Sequence, residues 1–426
     1  MSDPSEAEEE NREASRYLGE ILEVAPTLPY GKPSLATAQV LLAIATLLRG
    51  TAMSDPARMF VGSAAHILQD LDAHKEEKPD SPYYASREDR ARAFWVAYVH
   101  DKNMALITGK PPVFYEQEIS RLPPSGTNVE GFCLVQSLDN MRSVNFLVTG
   151  HRLAVIQGQL WSRLQCATAF PTPSAHITAQ NELNALLLAW RTALPFSFKP
   201  QDLMGHWPKF SIIYIILLHF QYFQTLVEVN REPPAEEGSA DPLFGTCPTA
   251  TSLRSCSYST QQFVVSSARD ALELASLSPR GNFQHVWLFI DFSISAVLTL
   301  LVNGIVRPLD DALCEDFRRI DEWLHIIEAL AETSERPDLL EKKQFLVHMR
   351  AWTLRRVKDA LTEKGANDAA AQARTSFDTL GVPDGQWFES PLRDEWPMDE
   401  SGMHPDVFPM DQTDWNLMSS FFPMMT

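Results

Sequence analysis

The sequence predicts an all-α protein: one large multi-helix domain, preceded by a disordered acidic arm and followed by an acidic, aromatic tail. Three observations carry this. Apolar residues recur at helical spacing through most of residues 34–362, with start and stop residues between the runs. Alternating runs bounded by turns, the mark of strands, are nearly missing. Residues 86–112, SREDRARAFWVAYVHDKNMALITGKPP, read as one buried helix with both ends written in. Ser86 can cap its start and Glu88 complements the dipole, while Gly109 fits a left-handed C′ position before Pro111 and Pro112.

In chain order, residues 1–15 are acidic and polar, the reverse of a signal or transit sequence, and read as a disordered arm. The domain is expected over 16–365. Ser34 caps a helix through Arg49, with Leu35, Ala38, Leu41, Leu42, Ala45 and Leu48 as its core stripe and Gly50 as its stop. Asp55 as cap and Pro56 at the first helical position start a second, with Met59, Phe60, Ala64, Ile67, Leu68 and Leu71 on its apolar side. The 211–223 run is apolar but too short to span a bilayer, which needs roughly 20 such residues. The 283–306 run is long enough, but its His285, Asp291 and Asn303 mark it as a buried helix of a bundle. Residues 231–258, rich in Pro, Ser, Thr and Gly, read as a disordered insertion, and helices resume near 260–277, 283–306, 309–332 and 337–362. A linker is expected at 366–386.

Charge and cysteines narrow the function. A formal net charge of −19 over 426 residues opposes what phosphate neutralisation needs, so specific DNA binding by this chain itself is not expected. Cys133, Cys166, Cys247, Cys256 and Cys314 form no C-x₂-C pair, which leaves no zinc spacing and fits a reducing interior. No cofactor or metal site is expected. Histidines His66, His74, His100, His151, His206, His219 and His285 show no H-x₃-H or H-E-x-x-H pairing, and His100 and His219 read as hydrogen-bonded core residues. There is no G-x-S-x-G elbow, Walker loop or dinucleotide fingerprint. DDALCED at 310–316 is the one enzymatic candidate, as a Mg²⁺-binding carboxylate motif of the terpene-cyclase kind. Its acidic residues sit at a helix start, where the dipole favours them, and no second ligand set follows.

The central helix carries a resemblance. Arg90 and Arg92, Phe94–Trp95, Tyr98, Asp101 and Gly109-Lys110-Pro111 resemble the signature of the fungal-specific transcription factor domain, the middle homology region of fungal zinc-cluster regulators. Departures are Lys110 for Arg, His100 for an apolar residue, and Asp72-Ala73-His74 where Gly-Leu-His is commoner. The likeness extends more weakly through 182–195, ELNALLLAWRTALP, and 283–308, covering about 17–330. It implies an all-α regulatory domain in the nucleus, without the family's binuclear zinc cluster, working through a DNA-bound partner and coactivator. A dimer or a small-molecule effector fits the same resemblance, as does control of a biosynthetic gene cluster. The signature residues read as structural. Asp101, a charge in a buried helix, needs a group from elsewhere or backbone donors near the Gly-Lys-Pro-Pro turn.

From Trp387 onward, large apolar residues alternate with Asp and Glu, and prolines block a long helix. This is the composition of an activation segment, with Trp387, Phe388, Trp396, Phe408, Trp415, Leu417, Phe421 and Phe422 as its anchors. The reading is an activator. The competing readings are a non-activating interaction or sensor protein that modulates a full-length regulator and, third, an all-α metal-dependent enzyme.

Overall fold

The computed structural model describes residues 13, 16–50, 56–78, 86–124, 133–166, 173–231, 258–277, 283–334 and 337–363. The acidic arm, apart from Glu13, the interior of the 231–258 insertion, the linker and the 387–426 tail lie outside the described residues. The described chain is all-α, with one short hairpin. It divides into two compact units, residues 1–106 with 110–166, and 107–109 with 167–426.

In the first unit, helix α1 (16–24) runs into a 3₁₀ turn, Ala25–Tyr30, that contains Pro26 and Pro29. Helix α2 (Leu35–Arg49) starts where Ser34 accepts from the Thr37 N–H at 3.1 Å and stops at Gly50. Helix α3 (Ala57–Asp70) packs along α2. Pro56 takes its N-cap position, so the helix begins one residue later than expected. The helix ends with Asp72 in the left-handed region (φ 56°), closed by Ala73 N–H to Leu68 carbonyl at 2.8 Å. That is a Schellman-type stop, and Asp is one of the few non-glycine residues that tolerate it. Met59, expected in the apolar stripe, is instead 68% exposed.

Helix α4 (Arg87–Thr108) is the signature helix, with Glu88 and Asp89 in its first turn and Gly109 left-handed (φ 61°) after it. A short antiparallel hairpin, β1 (Leu134–Gln136) and β2 (Ser143–Asn145), pairs Val135 with Val144. It leads into α5 (Phe146–Leu160), where the Asn145 side chain caps the Val148 N–H at 3.1 Å. Neither hairpin nor α5 was expected: three-residue strands are too short to show alternation, and Gly150 and Gly158 interrupt α5's helical pattern.

In the second unit, α6 (Pro173–Thr192) and a single turn, α7 (Pro200–Leu203), precede α8 (Lys209–Val229). The bundle continues through α9 (Tyr258–Ala275), α10 (Phe283–Val306), α11 (Leu313–Ser334) and α12 (Pro337–Glu363). Helix α8 packs on α6, α9 and α10, and α10 also packs on α11 and α12. By length and composition α8 and Trp287–Val306 of α10 could each cross a membrane. At 21 residues α8 outruns the 211–223 stretch, so the length argument against spanning fails. Burial decides instead: 67% and 89% of their apolar windows are covered by protein. Both carry buried polar groups, His219 in α8 and Asn303 in α10, as core helices do.

Candidate functional site

Helix α4 carries charge through the middle of a core, and its buried charged groups, Arg90, Asp101 and Lys102, each have a partner elsewhere. Near its N-terminal end, Arg90 donates through Nε to Glu77 at 2.8 Å and through its guanidinium to the Leu71 carbonyl. Glu77 is also 2.6 Å from Arg121, in an ion pair off hydrogen-bond alignment, and Arg121 donates to the Ala73 carbonyl. All three side chains are at most 6% exposed. One carboxylate thus neutralises arginines from two segments and fixes both to the turn after α3. Arg92 is different: half-buried, it pairs locally with Glu88 and Asp89.

One turn further on, Phe94, Trp95, Tyr98, Phe114 and His151 form an aromatic cluster, with Trp95 edge-on to His151 at 4.6 Å. The Trp95 indole donates to the Leu122 carbonyl at 3.2 Å. Burial holds His151 neutral, its pKa lowered to about 4.

Asp101, Lys102 and Asn103 follow in sequence, each at most 4% exposed. Asp101 accepts from the Val113 N–H at 2.8 Å and the Phe114 N–H at 3.0 Å, so backbone donors just past the Gly-Lys-Pro-Pro turn satisfy it. Burial pushes its carboxyl up, and the two backbone N–H groups and Lys102 oppose that shift. Lys102 donates to the Phe114 carbonyl at 2.5 Å and sits 3.2 Å from Glu116. Tyr98 donates to the same carboxylate at 2.6 Å; burial foremost, then Glu116, pushes its hydroxyl up. Asn103 accepts from Gln157 of α5 at 3.0 Å. A Cβ on Gly158 would stand 2.6 Å from the Glu116 carboxylate and would displace it.

Between α3 and α4, closed on one side by the turn at Pro111–Val113, lies a cavity of about 240 Å³. Apolar groups from Val61, Met104, Ala105 and Val113 line it, with Arg58, Ser63, His66 and Asp101 as its polar groups. Arg58 makes no ion pair or hydrogen bond within the described residues. A Cβ on Gly62 would meet nothing within 4 Å.

The signature residues Arg90, Arg92, Phe94, Trp95, Tyr98 and Asp101 thus share one helix, with Gly109, Lys110 and Pro111 forming its exit. Sequence reasoning missed Glu77, Lys102, Asn103, Glu116, Arg121, His151 and Gln157. Lys102 and Asn103 had a signal, as charge and amide inside an apolar run. Glu77 had none within the acidic-basic stretch AHKEEK.

Of the carboxylates of 310–316, Asp310, Glu315 and Asp316 face arginine. Asp310 and Asp311 lie in the turn before α11, not in its first turn as expected. Arg269 grips Asp316 with bonds of 2.8 and 2.7 Å and lies 3.4 Å from Asp310, which accepts from the Ala312 N–H at 3.0 Å. Among the described residues no three His, Cys, Asp or Glu side chains group to hold a metal ion. In the same unit, Arg191 lies over the Phe263 and Tyr222 rings at 5.3 and 5.6 Å and pairs with Asp270 at 3.4 Å. His219, fully buried, meets the Ser267 carbonyl at 3.0 Å.

Residues 3–141, about a third of the chain, match the sequence profile of the fungal specific transcription factor domain. Similarity to individual proteins reaches further along the chain. An ABC-transporter-regulating transcription factor of Aspergillus fumigatus is 25% identical over 329 residues, covering 76% of this chain and 36% of its own length. The fusaridione A cluster transcription factor of Fusarium heterosporum is 25% identical over 302 residues, 70% of this chain and 55% of that protein. An uncharacterized transcriptional regulatory protein of Schizosaccharomyces pombe is 25% identical over 316 residues, 69% and 45% of the two lengths. The chain therefore spans about a third to a half of these relatives. No solved structure matches it.

Proposed function

We propose that this chain is a transcriptional regulator working in the nucleus. The observation that carries the reading is the run of similarity to named transcription factors over 302–329 residues, well beyond the signature helix. Its own net charge of −19 is the wrong sign for gripping DNA, so it reaches promoters through a DNA-bound partner. Residues 387–426 recruit coactivator through Trp387, Phe388, Trp396, Phe408, Trp415, Leu417, Phe421 and Phe422, their acidic neighbours keeping the aromatics in water until a groove buries them. One relative is named for a biosynthetic cluster, and the target here is a gene set of the same kind.

Chromatin occupancy of the tagged chain, with and without candidate zinc-cluster partners, tests the first part. Promoter signal that disappears with one partner supports it, and occupancy unchanged across all partner deletions overturns it. Fusing 387–426 to an unrelated DNA-binding domain tests the second. The fusion should activate a reporter, and replacing Trp415, Phe421 and Phe422 by Ala should remove most of that activity. A silent fusion would refute the activation role.

A further inference from the structure

The cavity between α3 and α4 has the chemistry of a binding site. We propose that it takes a small organic monocarboxylate, with the carboxylate on Arg58 and an apolar body against Met104, Ala105 and Val113. Three observations converge on it.

The first is Arg58. In a chain where arginines are matched to carboxylates or backbone carbonyls even when buried, this half-buried guanidinium makes no hydrogen bond or ion pair within the described residues; it lines the cavity and meets Asp101 only through its field. A guanidinium fork pairs with a carboxylate through two parallel bonds. Ser63 and His66 stand on the same helix as further donors; His66 uses Nδ1 toward Gln69 at 3.3 Å, which leaves Nε2 for a ligand.

The second is Gly62, one turn after Arg58. A glycine inside a helix costs roughly 0.5–1 kcal/mol relative to alanine. No positive φ and no neighbouring atom requires it here. What it does is leave space: any larger side chain at 62 would project into the cavity.

The third is Asp101 in the wall. Both its oxygens already accept from the backbone, at 2.8 and 3.0 Å, and it faces the cavity as a fixed negative group. A dianion such as phosphate would bring a second charge against Asp101 with one arginine to balance it, so a monoanion is selected. The volume of 240 Å³ equals roughly eight waters and suits a molecule of roughly eight to ten non-hydrogen atoms. Met59 and His66, both exposed, leave a route in from solvent.

The test uses the full chain, with hexanoate as probe, hexan-1-ol as its uncharged counterpart and inorganic phosphate as the dianion, followed by calorimetric titration. Hexanoate should bind saturably, with a Kd of about 1 mM or tighter. Hexan-1-ol and phosphate should bind about tenfold more weakly or not at all. Arg58→Met, which keeps the apolar stem, should weaken hexanoate about tenfold or more, and Gly62→Leu should abolish its binding. Both variants should melt within a few degrees of the parent, because Arg58 makes no hydrogen bond or ion pair within the described residues and a Cβ at 62 meets nothing within 4 Å; a thermal scan establishes that before titration. No saturable hexanoate binding at roughly 10 mM would overturn the proposal. So would equal affinity for hexan-1-ol or phosphate, or hexanoate affinity unchanged in both folded variants. This outcome is separate from the transcriptional reading, which the chromatin and fusion experiments test.

Discussion

Glu77→Gln should be among the most damaging single-atom changes in the first unit. Glu77 is the carboxylate that pairs with Arg90 at 2.8 Å and with Arg121 at 2.6 Å, and each of these side chains is at most 6% exposed. The amide keeps the shape but removes the charge, so two buried guanidiniums lose their counter-ion. Breaking one buried pair in this way typically costs ~3–5 kcal/mol. The backbone carbonyls of Leu71 and Ala73 still accept from the arginines, which places the expectation at the lower end of that range. For a unit of this size each kcal/mol moves Tm by about 2–4 °C, so a fall of roughly 6–12 °C is expected. Thermal scans give the shift, and hydrogen exchange of peptides spanning 86–108 and 119–124 shows which segments loosen. Glu76→Gln is the control, since Glu76 accepts only from the Leu122 N–H, at 3.1 Å in an exposed setting. Adding Arg121→Met to Glu77→Gln should cost less than the sum of the two, as expected for residues sharing a charge. A cost below about 1 kcal/mol, or equal losses at positions 76 and 77, would refute the buried-ion argument.

Glycine substitutions should separate in sign. Gly158→Ala forces Glu116 away from Tyr98 and Lys102 and should destabilise by about 1–2 kcal/mol, while Gly62→Ala meets nothing and should be neutral or stabilising by up to about 1 kcal/mol, both read by denaturant unfolding. Asp72→Gly relieves a left-handed aspartate (φ 56°) and should stabilise by up to about 1 kcal/mol, less whatever the exposed Lys75 pair contributes. Acid should be costly. Burial lowers the pKa of His151 and His100 to about 4 and of His219 to about 3, below an unfolded value near 6.5. The unfolded chain therefore gains protons first as pH falls, so the stability these neutral imidazoles allow is whole above 6.5 and is lost between 6.5 and about 4, with each histidine contributing at most ~1.4 kcal/mol per pH unit. Unfolding curves at stepped pH should show that slope, and His219→Gln should flatten it. Asp316→Asn should strip Arg269 of its bidentate partner and cost about 3 kcal/mol in the second unit.

Helix α4 was legible because its pattern is local: apolar residues at helical spacing, acidic residues at its start, a glycine and two prolines at its exit. The helices after residue 258 were legible for the same reason and lie within a few residues of their expected bounds. Hairpin β1–β2 was not, because pairing Val135 with Val144 is non-local and three-residue strands carry no period. The exposure of Met59 was missed because periodicity assigns a residue to a face without saying whether anything covers that face. At the site, sequence showed that Asp101 needed partners and named the turn as one source. It could not show that Lys102 reaches the carbonyl of Phe114, the very residue whose N–H serves Asp101.

That pairing explains how an unfilled space survives beside a packed core. An apolar seam between α3 and the 111–114 turn would gain by closing, since void costs roughly 24 cal/mol per Å³ when dry. Here the turn is held on both sides of one residue: Asp101 takes the N–H of Phe114 and Lys102 its carbonyl, at 3.0 and 2.5 Å. Moving Val113 inward would break charge-assisted bonds to two buried groups, and stranding both, at roughly 3–5 kcal/mol each, outweighs the roughly 6 kcal/mol that a dry void of this volume would cost. The buried ions therefore fix the position of the cavity wall, which hydrophobic contacts of similar strength would leave free to collapse. Charge-neutral replacement of the pair by Asp101→Leu with Lys102→Met is then expected to leave a folded unit with a smaller cavity, detectable as lost hexanoate binding without a matching loss of Tm. A variant that kept hexanoate affinity while losing both ions would show that the wall is set by the backbone of the turn alone.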